Sequence, residues 1–401
     1  MTEWIECTLD KLGEIVGGAT PSTKCEDYYG GSIPWITPKD LSSFKGRYIT
    51  SGERNITEKG LASCSAQMMP KDAVLFTSRA PIGYVAIASQ SVCTNQGFKS
   101  IVVNEKADPL FVYYLLKYNK DAIEAMGSGT TFKEVSGKTM RAVKVRIPLD
   151  VSYQKRIAAV LDSLDTKIEN NERINDNLQR QLRTIFKAEF TDNPELENIT
   201  QIPLSELCHV VTKGTTPTTL GKPFVESGIN FIKAESILDD HSIDKSKFAF
   251  IDEETNALLK RSIIHAGDVV FTIAGTLGRF ALIDENVLPA NTNQAVAIIR
   301  ADLEKVLPEY IYTCFIGEWH TDYYAKRVQQ AVQANLSLTT IKSLPIPLLD
   351  EAKMSEYLSL ILPLIKAIKI NEAQNEKLAA LRDNLLPKLM SGEIDVSAVQ
   401  L

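Results

Sequence analysis

The sequence has few of the residues that build metal centres or disulfide frameworks. It contains six cysteines in 401 residues, and none of them forms a CxxC pair. Its four histidines show no HExxH spacing, the pattern that places two zinc ligands on one face of a helix. We therefore expect neither a dense disulfide network nor a zinc-dependent hydrolase, and the cysteine usage suits a reducing cytoplasm.

Long apolar runs are also missing. The longest, at residues 358–365, is interrupted by Ser359 and Pro363. It is shorter than the roughly 20 apolar residues that a membrane-spanning helix needs. The first residues, MTEWIECTLDK, do not form a basic and then apolar signal sequence. The sequence thus predicts a cytoplasmic protein without a membrane partner.

The catalytic motifs of DNA-modifying enzymes are absent as well. The stretch nearest to the NPPY tetrad of amino methylation is NPEL at residues 193–196, which lacks the second proline and the aromatic residue. The GKT at residues 137–139 resembles the end of a phosphate loop, but Phe132 stands where that loop needs glycine. We therefore expect neither methyl transfer nor ATP binding by this chain alone.

Charge and length set two further limits. The formal net charge is −6, so any binding to nucleic acid depends on local basic faces rather than on bulk charge. A chain of 401 residues exceeds the size of one ordinary hydrophobic core. At least two domains are expected.

What the sequence does contain is a long helical pattern that occurs twice. Residues 153–190 carry apolar side chains at three- and four-residue steps, which is a heptad seam. The same phase returns in residues 361–389, and each seam has two asparagines at its midpoint. We interpret these four residues as fixing the register of the helix pair: Asn171, Asn175, Asn371 and Asn375.

An antiparallel arrangement places Asn171 opposite Asn375 and Asn175 opposite Asn371. Most other layers then pair apolar residues, and only Leu164 opposite Arg382 is mismatched. The alternative is that each helix packs on its own neighbouring domain, but this does not explain polar residues at matching core positions.

The segments outside these helices also repeat one another. Residues 9–21 match 204–217, residues 33–41 match 229–237, and residues 73–83 match 269–278. An Asn-Gln pair and an Ile-Pro-Leu strand follow in both copies. The fold class is therefore α+β, with two tandem globular domains separated by two long helices that form an antiparallel coiled coil, a pseudo-twofold internal repeat. The predicted segments are domain 1 at 1–150, a helix at 151–190, a linker with domain 2 at 191–349, and a second helix at 350–401.

These motifs together resemble the specificity subunits of type I restriction–modification systems, over essentially the whole chain. They are GxTP at residues 18–21 and 214–217, APIG at 80–83, the Asn-Gln pairs, the Ile-Pro-Leu strands and the helix opening QKRI at 154–157. The second copy departs from this pattern with GTLG at residues 275–278 and EAKM at residues 351–354.

The resemblance implies a non-catalytic DNA reader in a prokaryotic cytoplasm. Each target-recognition domain would bind one part of a split double-stranded DNA sequence, and the helices would serve as spacer and dock. The implied partners are two methyltransferase subunits, which methylate adenine N6, and restriction and translocation subunits. No cofactor or metal is expected in this chain, while S-adenosylmethionine, ATP and Mg are expected on the partner subunits.

Candidate DNA-binding residues are basic, hydroxyl and amide side chains, since these bind phosphates and base edges. They are Thr20, Ser22, Lys24, Lys39, Lys45, Arg47, Arg79, Thr130, Thr131 and Lys133 in the first domain, and Thr216, Thr218, Lys222, Lys233, Arg279, Gln333 and Asn335 in the second. Each lysine equally suits a solvated surface charge. The repeated amides Asn95, Gln96, Asn293 and Gln294 are interpreted as framework residues, because residues shared by both domains do not explain different targets.

Three functions remain open from the sequence. The first is the specificity subunit, including a variant that serves a fused methylase–nuclease enzyme. The second is an enzyme acting alone, which the missing motifs oppose. The third is a coiled-coil scaffold with two protein-binding domains, which predicts no sequence-dependent affinity for DNA.

Overall fold

The computed structural model describes residues 3–42, 44–129, 133–193, 199–321, 323–324 and 335–400. The chain divides into two units, here called the first unit, Met1–Glu169 with Glu376–Leu401, and the second unit, Asn170–Asn375. Each unit holds one domain of strands and short helices together with parts of two long helices. The boundary between the units therefore crosses both long helices.

The first unit is built on a five-stranded sheet with two smaller sheets beside it. The large sheet has the order β2-β9-β6-β7-β4, and the smaller ones have the orders β5-β3-β8 and β1-β10. The strands are β1 Trp4–Thr8, β2 Gly13–Gly17, β3 Tyr29–Ile36, β4 Tyr48–Ile49, β5 Arg54–Ile56, β6 Val74–Ser78, β7 Ile82–Ala88, β8 Cys93–Thr94, β9 Lys99–Val103 and β10 Lys144–Pro148. The short helices are α1 Pro38–Ser42, α2 Glu58–Ala62, α3 Pro109–Tyr118, α4 Lys120–Ala125 and α5 Gly137–Ala142.

The central strand β6 is buried along its whole length. Successive side chains of a strand point to opposite faces of the sheet. Val74 and Phe76 accordingly lie in the core beneath α3, whereas Leu75 lies in a second core on the other face. Burial on both faces explains why this segment is a continuous apolar run rather than an alternating one.

The second unit repeats this plan with a large sheet of four strands. Its sheets have the orders β12-β18-β15-β16, β14-β13-β17 and β11-β19. The strands are β11 Gln201–Pro203, β12 Cys208–Lys213, β13 Ile229–Ile232, β14 Ala249–Ile251, β15 Val269–Thr272, β16 Phe280–Leu282, β17 Ala290–Thr292, β18 Val296–Ala301 and β19 Pro345–Pro347. Val269 and Phe271 lie in one core and Val270 in the other, as in the first unit.

Two long helices complete the chain. Helix α6 comprises Val151–Phe190, and the last helix comprises Glu351–Ser391. Both begin after an aspartate whose carboxylate accepts a backbone N–H of the first turn: Ser152 N donates to Asp150 Oδ1 at 2.8 Å, and Lys353 N donates to Asp350 Oδ1 at 2.9 Å. Such caps satisfy donors that have no partner within the helix.

The shorter helices of the second unit are α7 Glu253–Leu258, α8 Pro308–Ile316 and α9 Leu338–Lys342, so the last long helix is α10. The expectation of a mixed α and β fold with long helices is confirmed at this level. Within the described part of the chain, no helix combines the length and apolar character that crossing a membrane requires.

Candidate nucleic-acid interface

In the first unit, the loop after β2 packs directly on the Asn-Gln turn before β9. A Cβ atom on Gly18 would lie 2.1 Å from the carbonyl oxygen of Asn95, so only glycine allows this approach. Ala19 N donates to the carbonyl of Thr94 at 3.0 Å. The Thr20 hydroxyl donates to the Gln96 side-chain oxygen. The two loops therefore form one structure at the end of the large sheet where β2 finishes and β9 begins.

The second unit has the same arrangement. A Cβ atom on Gly214 would lie 1.8 Å from the carbonyl oxygen of Thr292. Gly214 N donates to the carbonyl of Asn293 at 3.1 Å, and the Thr216 hydroxyl donates to Gln294. The GxTP segment and the Asn-Gln pair are thus a single contact that the chain makes twice.

The asparagines of these pairs stabilise their own turns. Gly97 N donates to Asn95 Oδ1 at 2.8 Å, and Ala295 N donates to Asn293 Oδ1 at 3.0 Å. Both are Asx turns, in which a side-chain oxygen replaces a backbone acceptor. The interpretation as turn-stabilising framework residues is confirmed for the two asparagines, whereas Gln96 and Gln294 accept from the Thr20 and Thr216 hydroxyls.

Charged side chains gather at the same sheet end in the first unit. Arg79 follows β6, Lys99 begins β9, and Glu134 lies between them. Arg79 Nη1 is 3.6 Å from Glu134 Oε2, and Lys99 Nζ is 3.6 Å from Glu134 Oε1. Sequence reasoning selected Arg79 and the exposed Lys133 here but missed Lys99 and Glu134, which the fold brings together from distant segments.

Among the described residues of the second unit, Ala274 and Ala297 stand at the positions that Arg79 and Lys99 hold in the first. Leu336 N donates to the carbonyl of Ile273 at 2.9 Å, which places the exposed Asn335 beside the end of β15. Arg261, which sequence reasoning missed, donates through Nη2 to the Thr215 hydroxyl at 3.4 Å.

Several predicted phosphate-binding cations are paired with carboxylates. In the first unit Lys39 lies 2.6 Å from Glu53. In the second unit the pairs are Lys222 with Glu254 at 2.7 Å, Lys233 with Glu235 at 2.7 Å, and Arg279 with Asp239 at 2.6 Å. A phosphate would have to compete with these partners, although exposed pairs of this kind are weak.

The remaining predicted residues are exposed or lie outside the described residues. Ser22, Lys24, Lys45 and Thr218 are exposed. Thr130, Thr131 and Gln333 lie outside the part of the chain that the structure describes. DNA contact by these residues stays a prediction.

Arg47 has a different role from the predicted phosphate contact. It is 5% exposed, and its guanidinium faces helix α6 within the first unit. Its Nε and Nη2 donate to the Glu169 carboxylate at 3.1 and 3.0 Å, Nη2 also donates to Thr166 at 2.9 Å, and Nη1 pairs with Asp162. Burial opposes its charge, but the Glu169 hydrogen bonds and Asp162 raise the pKa of Arg47. With every donor nitrogen engaged, this arginine is a domain-to-helix clamp.

The predicted register asparagines pair between the two long helices within the second unit. Asn171 Nδ2 donates to Asn375 Oδ1 at 2.8 Å, and Asn371 Nδ2 donates to Asn175 Oδ1 at 2.8 Å. Asn171 also donates to Gln374 Oε1 at 2.8 Å and is fully buried. These partners are the ones that the sequence pattern predicted.

Arg382 is the mismatched residue of the predicted seam, and its positive charge is paired with Asp165, which follows Leu164 in helix α6. Its Nη1 donates to Asp165 Oδ1 at 2.7 Å, and the Tyr114 hydroxyl donates to Asp165 Oδ2 at 2.7 Å. Because Asp165 is 6% exposed, this network is buried. It links helix α3 of the domain to both long helices within the first unit.

Metal-dependent chemistry has no candidate site in the described residues, where no three His, Cys, Asp or Glu side chains group as metal ligands. His241 stacks on Phe280 with ring centroids 4.0 Å apart, and His320 packs among Phe271, Phe315 and Tyr324. Burial lowers the pKa of both histidines to about 4. They are neutral core residues.

Comparison with known proteins agrees with this arrangement. A family model described as the type I restriction modification DNA specificity domain matches residues 1–180 and again residues 197–380. The type I restriction enzyme MjaIX specificity subunit of Methanocaldococcus jannaschii is 32% identical over 417 residues, covering 98% of this chain and 94% of that protein. The EcoBI specificity subunit of Escherichia coli is 23% identical over 425 residues, covering 98% and 86%.

A solved structure shares the fold. The crystal structure of the type I restriction–modification S subunit from M. genitalium matches with a TM-score of 0.57 at 15% identity, covering 97% of this chain and 96% of that one. Together with the two family matches, this similarity accounts for both repeats. The chain therefore belongs to the family of type I restriction–modification DNA specificity subunits, whose part in the enzyme is sequence specificity rather than catalysis.

Proposed function

We propose that this chain reads a split double-stranded DNA target, with one half-site bound by the domain of each unit. The observation that carries this proposal is the duplicated GxTP and Asn-Gln framework, which presents different side chains in its two copies. The first copy has Arg79, Lys99 and Glu134 at the sheet end, and the second has Asn335. One scaffold with two reading surfaces suits an asymmetric bipartite sequence.

The two long helices form an antiparallel coiled coil that sets the spacing between half-sites and docks partner subunits. The crossed partners of the asparagines support this direction, because ascending numbers on one helix meet descending numbers on the other. A buried polar layer of this kind selects one register at some cost in stability.

The partners are two methyltransferase subunits and the restriction and translocation subunits. S-adenosylmethionine, ATP and Mg belong to these partners, and this chain contributes no cofactor site. Its role is to direct adenine methylation, and the cleavage of unmodified DNA, to one sequence.

The test is adenine-methylation mapping of DNA from cells that express this chain with its methyltransferase subunit. A split motif that disappears when this chain is omitted supports the proposal and gives the target. Methylation that is unchanged without the chain, with both proteins confirmed by blotting, contradicts it. Exchange of residues 18–146 for the same domain of another family member is expected to change one half of the motif and leave the other half intact.

A further inference from the structure

The two domains place different residues at one structurally equivalent position beside the shared framework. In the first unit Val135 N donates to the carbonyl of Ser78 at 2.9 Å, and in the second Leu336 N donates to the carbonyl of Ile273 at 2.9 Å. The next residue caps a short helix in both cases: Ser136 accepts from Thr139 N, and Ser337 accepts from Thr340 N, each at 3.0 Å.

Glu134 immediately precedes Val135, and Asn335 immediately precedes Leu336. The backbones of Glu134 and Asn335 therefore occupy equivalent places at the equivalent ends of the two sheets. The two residues that accept these bonds, Ser78 and Ile273, are also hydrogen-bonded to the Asn-Gln turns. Ser78 N donates to the carbonyl of Gly97 at 2.7 Å, and Ile273 N donates to the carbonyl of Ala295 at 2.8 Å. Framework residues hold both positions, but the framework itself does not differ between the domains.

The surroundings of the two positions differ in charge. The Glu134 side chain is 40% exposed and has Arg79 and Lys99 on either side, each at 3.6 Å. In the second unit, Ala274 follows Ile273 as Arg79 follows Ser78. Ala297 pairs with the last residue of β12 as Lys99 pairs with the last residue of β2. The second domain therefore presents an amide where the first presents a carboxylate between two cations.

A carboxylate at a DNA-facing edge is repelled by phosphates unless cations offset it or a base donor binds it. Both conditions fit Glu134, because separations of 3.6 Å are too long for good hydrogen bonds and leave its oxygens able to accept. Glutamate accepts from the amino group of cytosine, arginine binds the O6 and N7 of guanine, and asparagine binds the N6 and N7 of adenine.

We propose that Glu134 and Asn335 are corresponding base-reading residues, with Glu134 and Arg79 directed at a G·C pair in one half-site and Asn335 at adenine in the other. This inference rests on the proposed function, which it deepens by assigning residues to base types. It adds Glu134 to the DNA-binding residues and gives the exposed Asn335 a specific role.

The test uses the full-length chain with its methyltransferase subunit and three variants, Glu134→Gln, Glu134→Asn and Asn335→Ala. Methylated motifs and their relative rates are compared with wild type. Glu134→Gln is expected to weaken discrimination at one base pair of one half-site by about tenfold to a hundredfold, the range for one good base contact. Glu134→Asn is expected to shift that position toward adenine, and Asn335→Ala to relax one position in the other half-site only.

Glu6→Gln is the matched control, because Glu6 also pairs with an exposed cation, Lys144 at 3.0 Å, but lies in the β1-β10 sheet. It is expected to leave the motif unchanged. If Glu134→Gln lowers methylation equally at all sequences, or alters both halves, the base-reading assignment is wrong. If wild type itself directs no motif, the failure belongs to the proposed function and not to this assignment.

Discussion

The two units attach their domains to the same long helices by different chemistry. In the first unit the attachment is charged: Arg47 is clamped by Asp162 and Glu169, and Tyr114 reaches Arg382 through Asp165. In the second unit, Ile365 of helix α10 stands at the position that Asp165 holds in helix α6, and Leu182 of helix α6 stands at the position that Arg382 holds in helix α10. Both Ile365 and Leu182 are buried in an apolar cluster.

The sign of the charged contacts is also reversed. Lys369 stands at the position equivalent to Glu169 and lies 3.9 Å from Asp284 of the domain in the second unit. The domain supplies the cation in the first unit, and the helix supplies it in the second. The comparison teaches that the duplication preserved the framework, whereas each domain became matched to its own part of the helices.

Lowering the pH is expected to produce the largest difference in stability between the two units, because all four histidines lie in the second unit, from residue 209 to residue 320. Burial lowers the pKa of His241 and His320 to about 4, while the unfolded pKa is about 6.5. Between about pH 4 and pH 6.5 the unfolded state therefore binds more protons than the folded state. Stability from these two histidines is fully present above pH 6.5 and is lost as the pH falls toward 4.

We expect the second unit to lose roughly 4 kcal/mol of stability between pH 7.5 and pH 5 from these two groups together. Hydrogen exchange, normalised for the intrinsic rate, reports each unit separately. His320→Phe, which keeps an aromatic ring in the cluster, is expected to reduce the loss. Equal loss of protection in the two units would contradict this distinction.

Removal of the Arg47 clamp is the next largest expected effect. Arg47→Met leaves the carboxylates of Asp162 and Glu169, about a third exposed, without their cation. We expect a loss of about 2–3 kcal/mol in the free energy of unfolding, below the full value for a buried pair because water reaches the acids. Urea denaturation measures it. The control Lys39→Met, in an exposed pair, is expected to leave the free energy of unfolding nearly unchanged.

The buried network around Asp165 can be converted to the chemistry of the second unit. Arg382→Leu alone leaves the buried Asp165 carboxylate without its cation and is expected to lower the free energy of unfolding by about 2 kcal/mol. Adding Asp165→Leu and Tyr114→Phe removes the buried polar groups and leaves only the exposed Asp383, which also pairs with Arg382. We expect stability within about 1 kcal/mol of wild type, since apolar replacements of buried ion pairs are often neutral. If the triple variant is as unstable as the single one, the two attachment modes are not interchangeable.

The smallest expected change concerns the asparagine layer of the second unit. Asn171→Leu leaves the oxygens of Asn375 and Gln374 without their donor, which we expect to cost about 1–2 kcal/mol. Asn171→Leu with Asn375→Leu is expected to recover this stability but to loosen the register and promote association between chains. Denaturation and light scattering measure the two effects. An unchanged oligomeric state and an unchanged half-site spacing in the double variant would refute the register role.

Local features of the site were predictable from the sequence. The turn roles of Asn95 and Asn293 follow from residue type, because an asparagine side chain bonds to backbone only two residues away. The asparagine partners between the helices followed from heptad phase, since a repeat along one helix determines which positions face its partner.

Charged residues were the least predictable part. Arg47, Lys24 and Lys39 are equally plausible phosphate ligands in the sequence, yet only Arg47 is buried against helix α6. Glu134 was not predicted to bind DNA, because the cations beside it, Arg79 and Lys99, come from other segments of the chain. The partner of Arg382 was also missed, because Asp165 lies one residue outside the predicted seam.

The sequence by itself determined the duplication, the extent of the apolar seams and the turns that join the framework loops. These depend on periodicity and on contacts between residues close in the chain. Only the tertiary structure decided which charges are buried, which carboxylates neutralise them and which two side chains occupy the equivalent positions at the sheet ends. Those outcomes depend on residues brought together across long separations, where packing and desolvation, rather than residue type, set the energy.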